Sequence, residues 1–307
     1  MSLPGALAHR LYRRPRLGRP FRRLRPRACI LVYHRVAETP HDPYGQAVPP
    51  ARFSEQLRSL AERFDVAPVE ALVRGGFRDG TVAVTFDDGY ADNLHVAAPM
   101  AARAGVPLCV FAAAGAIADE QTAFWWDQLA AAVLGRDAAR SRLSELMDAQ
   151  RRLRVLAADE RTTELAELRG RAEVGADELD LGRPLSPDEL RSLAALPDVT
   201  IGSHTRDHPA LAPLPEAEQA RELTAGKELL ERLLGRRVPL VAYPFGKHAD
   251  VSRTTVTLAR RAGYDAAFTT VPRPVVPRSD RYRLPRLTVH DWPARTLVAR
   301  VDALIGT

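Results

Sequence analysis

The order of strand-like and helix-like segments predicts an α/β fold built on a parallel sheet. Three observations carry that prediction. Short apolar runs rich in β-branched residues alternate with amphipathic stretches of helical period. The runs are continuously apolar, as in strands buried on both faces. Two polar motifs, Asp87-Asp88-Gly89 and His204-Thr205-Arg206-Asp207-His208, each follow such a run, which is where α/β folds place their sites.

The first strand is expected at Ala28-Cys29-Ile30-Leu31-Val32-Tyr33, with His34 at its end. Phe53, Leu57, Leu60, Ala61 and Phe64 share one face of a helix over 53–64. Val82 to Phe86 is the next strand, followed by a helix from about Ala91 to Ala104 that Gly105 ends. Val106 to Ala112 is a further strand. The alternation then stops, and residues 119–184, rich in Ala, Leu, Arg and Glu, read as a helical insertion. Its role is that of a lid or side decoration. Trp125 and Trp126 within it either stack on sugar rings or anchor the insertion to the sheet.

Ser186, Pro187 and Glu189 form an N-cap, a first-turn proline and a capping box that start the next helix. It leads to a strand at Val199-Thr200-Ile201-Gly202 and the histidine motif. A helix over 215–234 closed by Gly235, a strand over 238–243, a helix over 251–262 with Gly263 at its C-terminus and a short strand over 264–270 follow. A last strand over 283–289 and a final helix over 294–305 complete the alternation. A chain of 307 residues can bury a full core, and α/β barrels of this size often form one domain.

Charge is unevenly spread. The chain carries +6 overall, yet residues 1–27 hold nine arginines and no Asp or Glu, so the remainder is slightly acidic. This Arg-rich leader reads as a solvated, disordered tail, with attraction to an anionic membrane surface or polyphosphate as the functional alternative. It has no apolar run long enough for a signal peptide or a transmembrane segment. The expected location is therefore cytoplasmic or peripherally membrane-associated. Nucleic-acid binding through the leader is disfavoured, since aromatic content is only 6% and no stacking motif accompanies the basic run. Cys29 and Cys109 lie in apolar runs and read as small core residues rather than a disulfide.

The chemistry follows from residue types. Along an extended chain adjacent side chains point in different directions, so one of Asp87 and Asp88 can bind a metal while the other handles a proton. His204 and His208 are four apart, and one helical turn would put both on one face. Asp88 with the two imidazoles gives three protein ligands and an open position, as in catalytic zinc sites. Such a donor set suits zinc, with cobalt or nickel also fitting.

Phe86-Asp87-Asp88-Gly89, His204-x-x-x-His208 and Tyr243-Pro244-Phe245-Gly246, in that order, resemble the polysaccharide deacetylase family, the NodB-homology, carbohydrate esterase family 4-like enzymes. The opening Leu31-Val32-Tyr33-His34-Arg35-Val36 is similar to the branch that includes poly-N-acetylglucosamine deacetylases. The resemblance covers about residues 28–118 and 185–307. It implies a distorted (β/α) barrel over 28–307, interrupted by the helical insertion, and removal of N-acetyl groups from a sugar polymer or glycoconjugate. It implies Asp87 as general base, His34 as general acid and the Phe245 backbone N–H as oxyanion donor, with His290 competing for the acid role. Many relatives carry an arginine three residues before the Phe245 position, where this chain has Ala242. Arg286, in Leu284-Pro285-Arg286-Leu287, is the candidate replacement, because a buried arginine there needs a carboxylate partner and Asp87 is at hand. A carbohydrate-binding relative without catalysis is the other reading, against which the intact Asp87, Asp88, His204 and His208 stand.

Overall fold

The computed structural model of the protein describes residues 26–39, 42–135, 142–170 and 182–306. The Arg-rich leader falls almost wholly outside them, as does part of the helical insertion. In chain order the strands are β1 (Ala28–Tyr33), β2 (Arg35–Val36), β3 (Ala47–Val48), β4 (Asp65–Val66), β5 (Thr81–Phe86), β6 (Leu108–Ala112), β7 (Val199–Ser203), β8 (Leu240–Ala242), β9 (Ala266–Phe268) and β10 (Leu287–Thr288).

The main sheet runs β10-β1-β5-β6-β7-β8-β9, with β4 added beside β5, and every pairing in it is parallel. It curls. Phe268 at the end of β9 makes a parallel bridge to Leu284, and Leu287 three residues later pairs with Leu31 of β1. The segment ahead of β10 thus links the two ends of the sheet, giving the expected distorted barrel. Parallel strands need crossovers, and helices such as Pro50–Arg63 and Glu216–Leu234 supply them.

Side-chain alternation divides the core in two. Ile30, Ala83, Cys109, Phe111, Leu240, Ala242, Ala266 and Phe268 pack together inside the curl. Leu31, Tyr33, Val82, Val84 and Phe86 face outward onto helix residues such as Phe53, Leu57, Leu60 and Leu297. Both faces are covered, which is why the strands read as unbroken apolar runs. Cys29 and Cys109 are buried, unpaired thiols.

Several elements are shorter than their patterns. The expected strand over 264–270 forms only at Ala266–Phe268, and that over 283–289 only at Leu287–Thr288 plus the single bridge at Leu284, where Pro285 has no N–H for a ladder. The helix before Gly105 opens with a π-helical turn, Asn93–Ala97, before its α-helical part, Ala98–Ala104. In the insertion, helices Trp125–Leu134, Leu143–Leu153 and Ala158–Gly170 enclose their own cluster of Phe124, Trp126, Leu129, Leu146 and Leu165. Trp125 and Trp126 are 9% and 4% exposed, too little to offer a sugar-stacking face. They anchor the insertion instead.

Candidate active site

Asp87 and Asp88 leave the end of β5 with different partners. At Asp88 the backbone turns left-handed (φ 74°), and Gly89 continues the turn (φ 85°) with Ala112 so close that a Cβ would stand 3.2 Å from its methyl. This turn separates the two carboxylates, replacing the strand alternation expected from sequence.

Asp87 is gripped by Arg286. Nη1 donates to Oδ1 and Nη2 to Oδ2, each at 2.7 Å. Nη1 also donates to Thr85 Oγ1 at 3.2 Å and Nε to Thr269 O at 3.0 Å. Arg286 is wholly buried, lying across the ring of Phe111. Burial is the largest influence and would raise the Asp87 carboxyl, but the charge and hydrogen bonds of Arg286, with His204 and His34, together outweigh it and hold the group at about 2. Asp88 has no arginine, and burial pushes its carboxyl upward, opposed in part by His34 and His204. Two adjacent acids are driven apart by their surroundings, the pattern that separates roles in acid–base sites.

His204 N–H donates to Ala112 O at 2.8 Å, which holds it to the end of β6 as it leaves β7. Its Nδ1 donates to Ala242 O at 2.8 Å, so Nε2 carries the lone pair. No helical turn joins it to His208, contrary to the sequence expectation. Left-handed residues at Thr205 (φ 64°) and His208 (φ 56°) fold the loop back. Thr205 Oγ1 accepts from the His208 N–H, and Glu222 accepts from those of Arg206 and Asp207 at 3.1 and 2.8 Å. Of five non-glycine residues with positive φ among those described, Asp88, Thr205, His208 and Phe245 lie in this region. Backbone strain of that kind gathers at functional sites.

The donor atoms fit a cation. His204 Nε2 and His208 Nε2 are 3.1 Å apart, and Asp88 Oδ1 is 3.5 and 3.4 Å from them. Metal–ligand bonds of about 2.0–2.1 Å at tetrahedral angles require edges of about 3.3–3.4 Å, so the triangle is near the right size. Burial lowers His204 to about 4 and His208 to about 3, keeping both imidazoles neutral, the ligating form. Asp87 Oδ2 is 3.8 Å from His204 Nε2, beside the triangle but turned to Arg286.

His34 follows β1 on the same rim, half-buried, with Nδ1 buried and without a hydrogen-bond partner. Burial lowers its pKa against the pull of Asp88 and Asp87. His290 makes other contacts: its Nδ1 meets Gly45 O at 2.7 Å and its ring packs on Trp292. Phe245, with φ 60°, sits in the turn after β8, its ring 5.1 Å from that of His208. Ala242, at the position where the resemblance implies an arginine, is buried in the barrel interior. Trp126, read from sequence as a sugar platform or an anchor, completes the surroundings together with Glu222 and Gly226, neither of which sequence singled out. Gly226 alone carried a signal, as a glycine inside a helical pattern.

Comparison with known proteins gives one family. The family model described as "Polysaccharide deacetylase" matches residues 74–267. The polysaccharide-deacetylase-like protein YxkH of Bacillus subtilis (strain 168) is 27% identical over 105 residues, and the match spans only 34% of this chain and 36% of that protein. Among solved structures, the Streptococcus pyogenes deacetylase PplD in complex with acetate superposes with a TM-score of 0.61 at 17% identity, covering 90% of this chain and 99% of that one. IcaB from Ammonifex degensii gives 0.60 at 21% identity over 90% and 97% of the two chains. The de-N-acetylase from Aggregatibacter actinomycetemcomitans gives 0.59 at 14% identity over 86% and 95%. At such identities the likeness is one of fold.

Proposed function

The chain belongs to the polysaccharide deacetylase family, and from that premise we propose that it is a metal-dependent hydrolase removing N-acetyl groups from an N-acetylhexosamine-containing polysaccharide or glycoconjugate. The observation that carries this reading is the near-equilateral triangle of Asp88 Oδ1, His204 Nε2 and His208 Nε2 beside an Asp87 locked by Arg286.

Asp88, His204 and His208 would hold a divalent cation, zinc by donor type, with cobalt or nickel also suited. Such a cation supplies a Lewis acid that polarises the acyl carbonyl and acidifies water. The chain's own residues do the rest. Asp87 accepts the proton of the attacking water. Arg286 keeps it ionised and aimed, trading base strength for a fixed orientation. The Phe245 backbone N–H donates to the oxygen that gains charge as the carbonyl is attacked. His34, at the end of β1, delivers a proton to the departing sugar amine.

An acetate-release assay on the metal-loaded full chain, run across N-acetylhexosamine polymers and small glycosides, tests the reading. Release is expected from at least one substrate class and is expected to vanish in Asp87→Asn. Folded, metal-loaded protein that frees no acetate from any of them would sink it.

A further inference from the structure

The helical insertion reaches the ligand triangle, and we infer that Trp126 is a positioning residue that clamps the His208 imidazole in its ligating orientation. This rests on the proposed reading of Asp88, His204 and His208 as metal ligands.

The two histidines are held in different ways. His204 is steered through its far nitrogen, which donates to Ala242 O. A metal-binding imidazole is ordinarily fixed in that manner. His208 Nδ1 is buried and has no hydrogen-bond partner on another residue, only its own backbone nearby, so no neighbouring polar group sets the plane of its ring. What sets it is an aromatic slot. The Trp126 ring lies 4.2 Å from the His208 ring at 44°, and Phe245 lies 5.1 Å away at 56°.

Trp126 can serve as a wall because it is itself fixed. Phe124 stacks on it at 4.5 Å and 7°, and its indole N–H donates to the Tyr90 hydroxyl at 2.8 Å. That hydroxyl donates in turn to Asp127 Oδ2 at 2.8 Å, and Tyr44 donates to the Trp126 carbonyl at 2.9 Å. Tyr90 stands two residues after Asp88. The clamp on one ligand is therefore tied to the turn that presents another. On this inference the insertion completes the site rather than decorating it.

The test measures zinc affinity by chelator competition and the visible spectrum of the cobalt-substituted full chain. Trp126→Met gives up the rigid flat face but can refill part of the slot with a flexible apolar chain, and Trp126→Leu gives up the face with a shorter branched one. Whichever of them folds should bind zinc roughly 10–100-fold more weakly, the scale of losses around a metal's ligands, with an altered cobalt spectrum. Trp126→Phe, which restores a flat ring, should return affinity to within about threefold and recover the spectrum. Leu146→Ala, which weakens the same apolar cluster, is the control for destabilisation alone and should leave both readouts in place. Unchanged zinc affinity and cobalt spectrum in the Met and Leu variants, while His208→Ala has lost the metal, would overturn the inference and leave the metal site standing. Full zinc affinity in His208→Ala would overturn the metal reading and this inference with it.

Discussion

Asp87 and Asp88 are one position apart and face opposite electrostatic fates. Burial works against both charges; the bidentate grip of Arg286, helped by His204 and His34, holds Asp87 at about 2, while Asp88, which no guanidinium grips, is pushed up. Arg286→Lys keeps the charge and loses the fork. Turnover should fall about tenfold or more with metal content unchanged; a parallel loss of metal would mean that Arg286 supports the ligands and not the base. At the proton-donor end, His34→Ala should lower kcat by roughly 10²–10⁴-fold. His290→Ala, altering a ring that lies on Gly45 and Trp292, should stay within about threefold. The opposite ranking would move the acid to His290. The carboxylate and imidazole motifs were legible because residue type carries their chemistry. The lone carboxylate Glu222 was not, since a glutamate within a helix looks like any solvated one, and its two backbone bonds to Arg206 and Asp207 exist only in three dimensions.

Elements place these groups by close approach and by caps. Helix Glu216–Leu234 lies so near the histidine loop that a Cβ at Gly226 would stand 2.5 Å from the Thr205 carbonyl carbon and 2.8 Å from Arg206 N. Both neighbours are backbone and cannot step aside. Gly226→Ala should cost about 1–3 kcal/mol of stability and weaken metal binding by shifting the loop between His204 and His208. Equal denaturant midpoints and zinc affinities for variant and parent would refute the contact. Helix Pro187–Ala194 makes a separate prediction. Glu189 closes its capping box with Ser186 and takes bonds from Arg183 and His95. The Arg183 bonds, with help from the Ser186 N–H, hold its carboxyl well below the ordinary 4.5 despite partial burial. The folded-state pKa is the lower one, so this stabilisation is complete above about 4.5 and fades as pH falls further. Glu189→Gln should cost about 1 kcal/mol at pH 7 and progressively less below pH 4.5; a urea-midpoint gap independent of pH would contradict it. The capping box was readable because four consecutive residues encode it. The fold-back between His204 and His208 was not, because left-handed Thr205 and His208 replace a helical turn with a conformation no residue pattern there announces.

Across the whole molecule, parallel strands turn scattered motifs into one site. β1, β5, β7 and β8 all point the same way, so His34, Asp87 and Asp88, His204 and Phe245 emerge on one rim although up to 211 positions separate them. Arg286 arrives from the last part of the chain because the segment ahead of β10 links β9 to β1. The continuous apolar runs made this architecture legible, and the bridge through Leu284 was hidden because Pro285 breaks the strand pattern there. The helical character of 119–184 was legible from composition. Its docking through Trp126 was legible only as one of two alternatives, since burial of a tryptophan pair depends on what packs over it. No helix among the described residues is long and apolar enough to cross a membrane. The central claim, that these separated residues form one metal-dependent hydrolytic centre, is tested most directly by titrating zinc into chelator-stripped full-length protein while acetate release from an N-acetylglucosamine oligomer is followed. Release should be near zero without metal, rise in proportion to bound zinc and level off at about one ion per chain, as a single three-ligand site requires. Acetate release at full rate from stripped protein, or a rate indifferent to bound zinc, would contradict it.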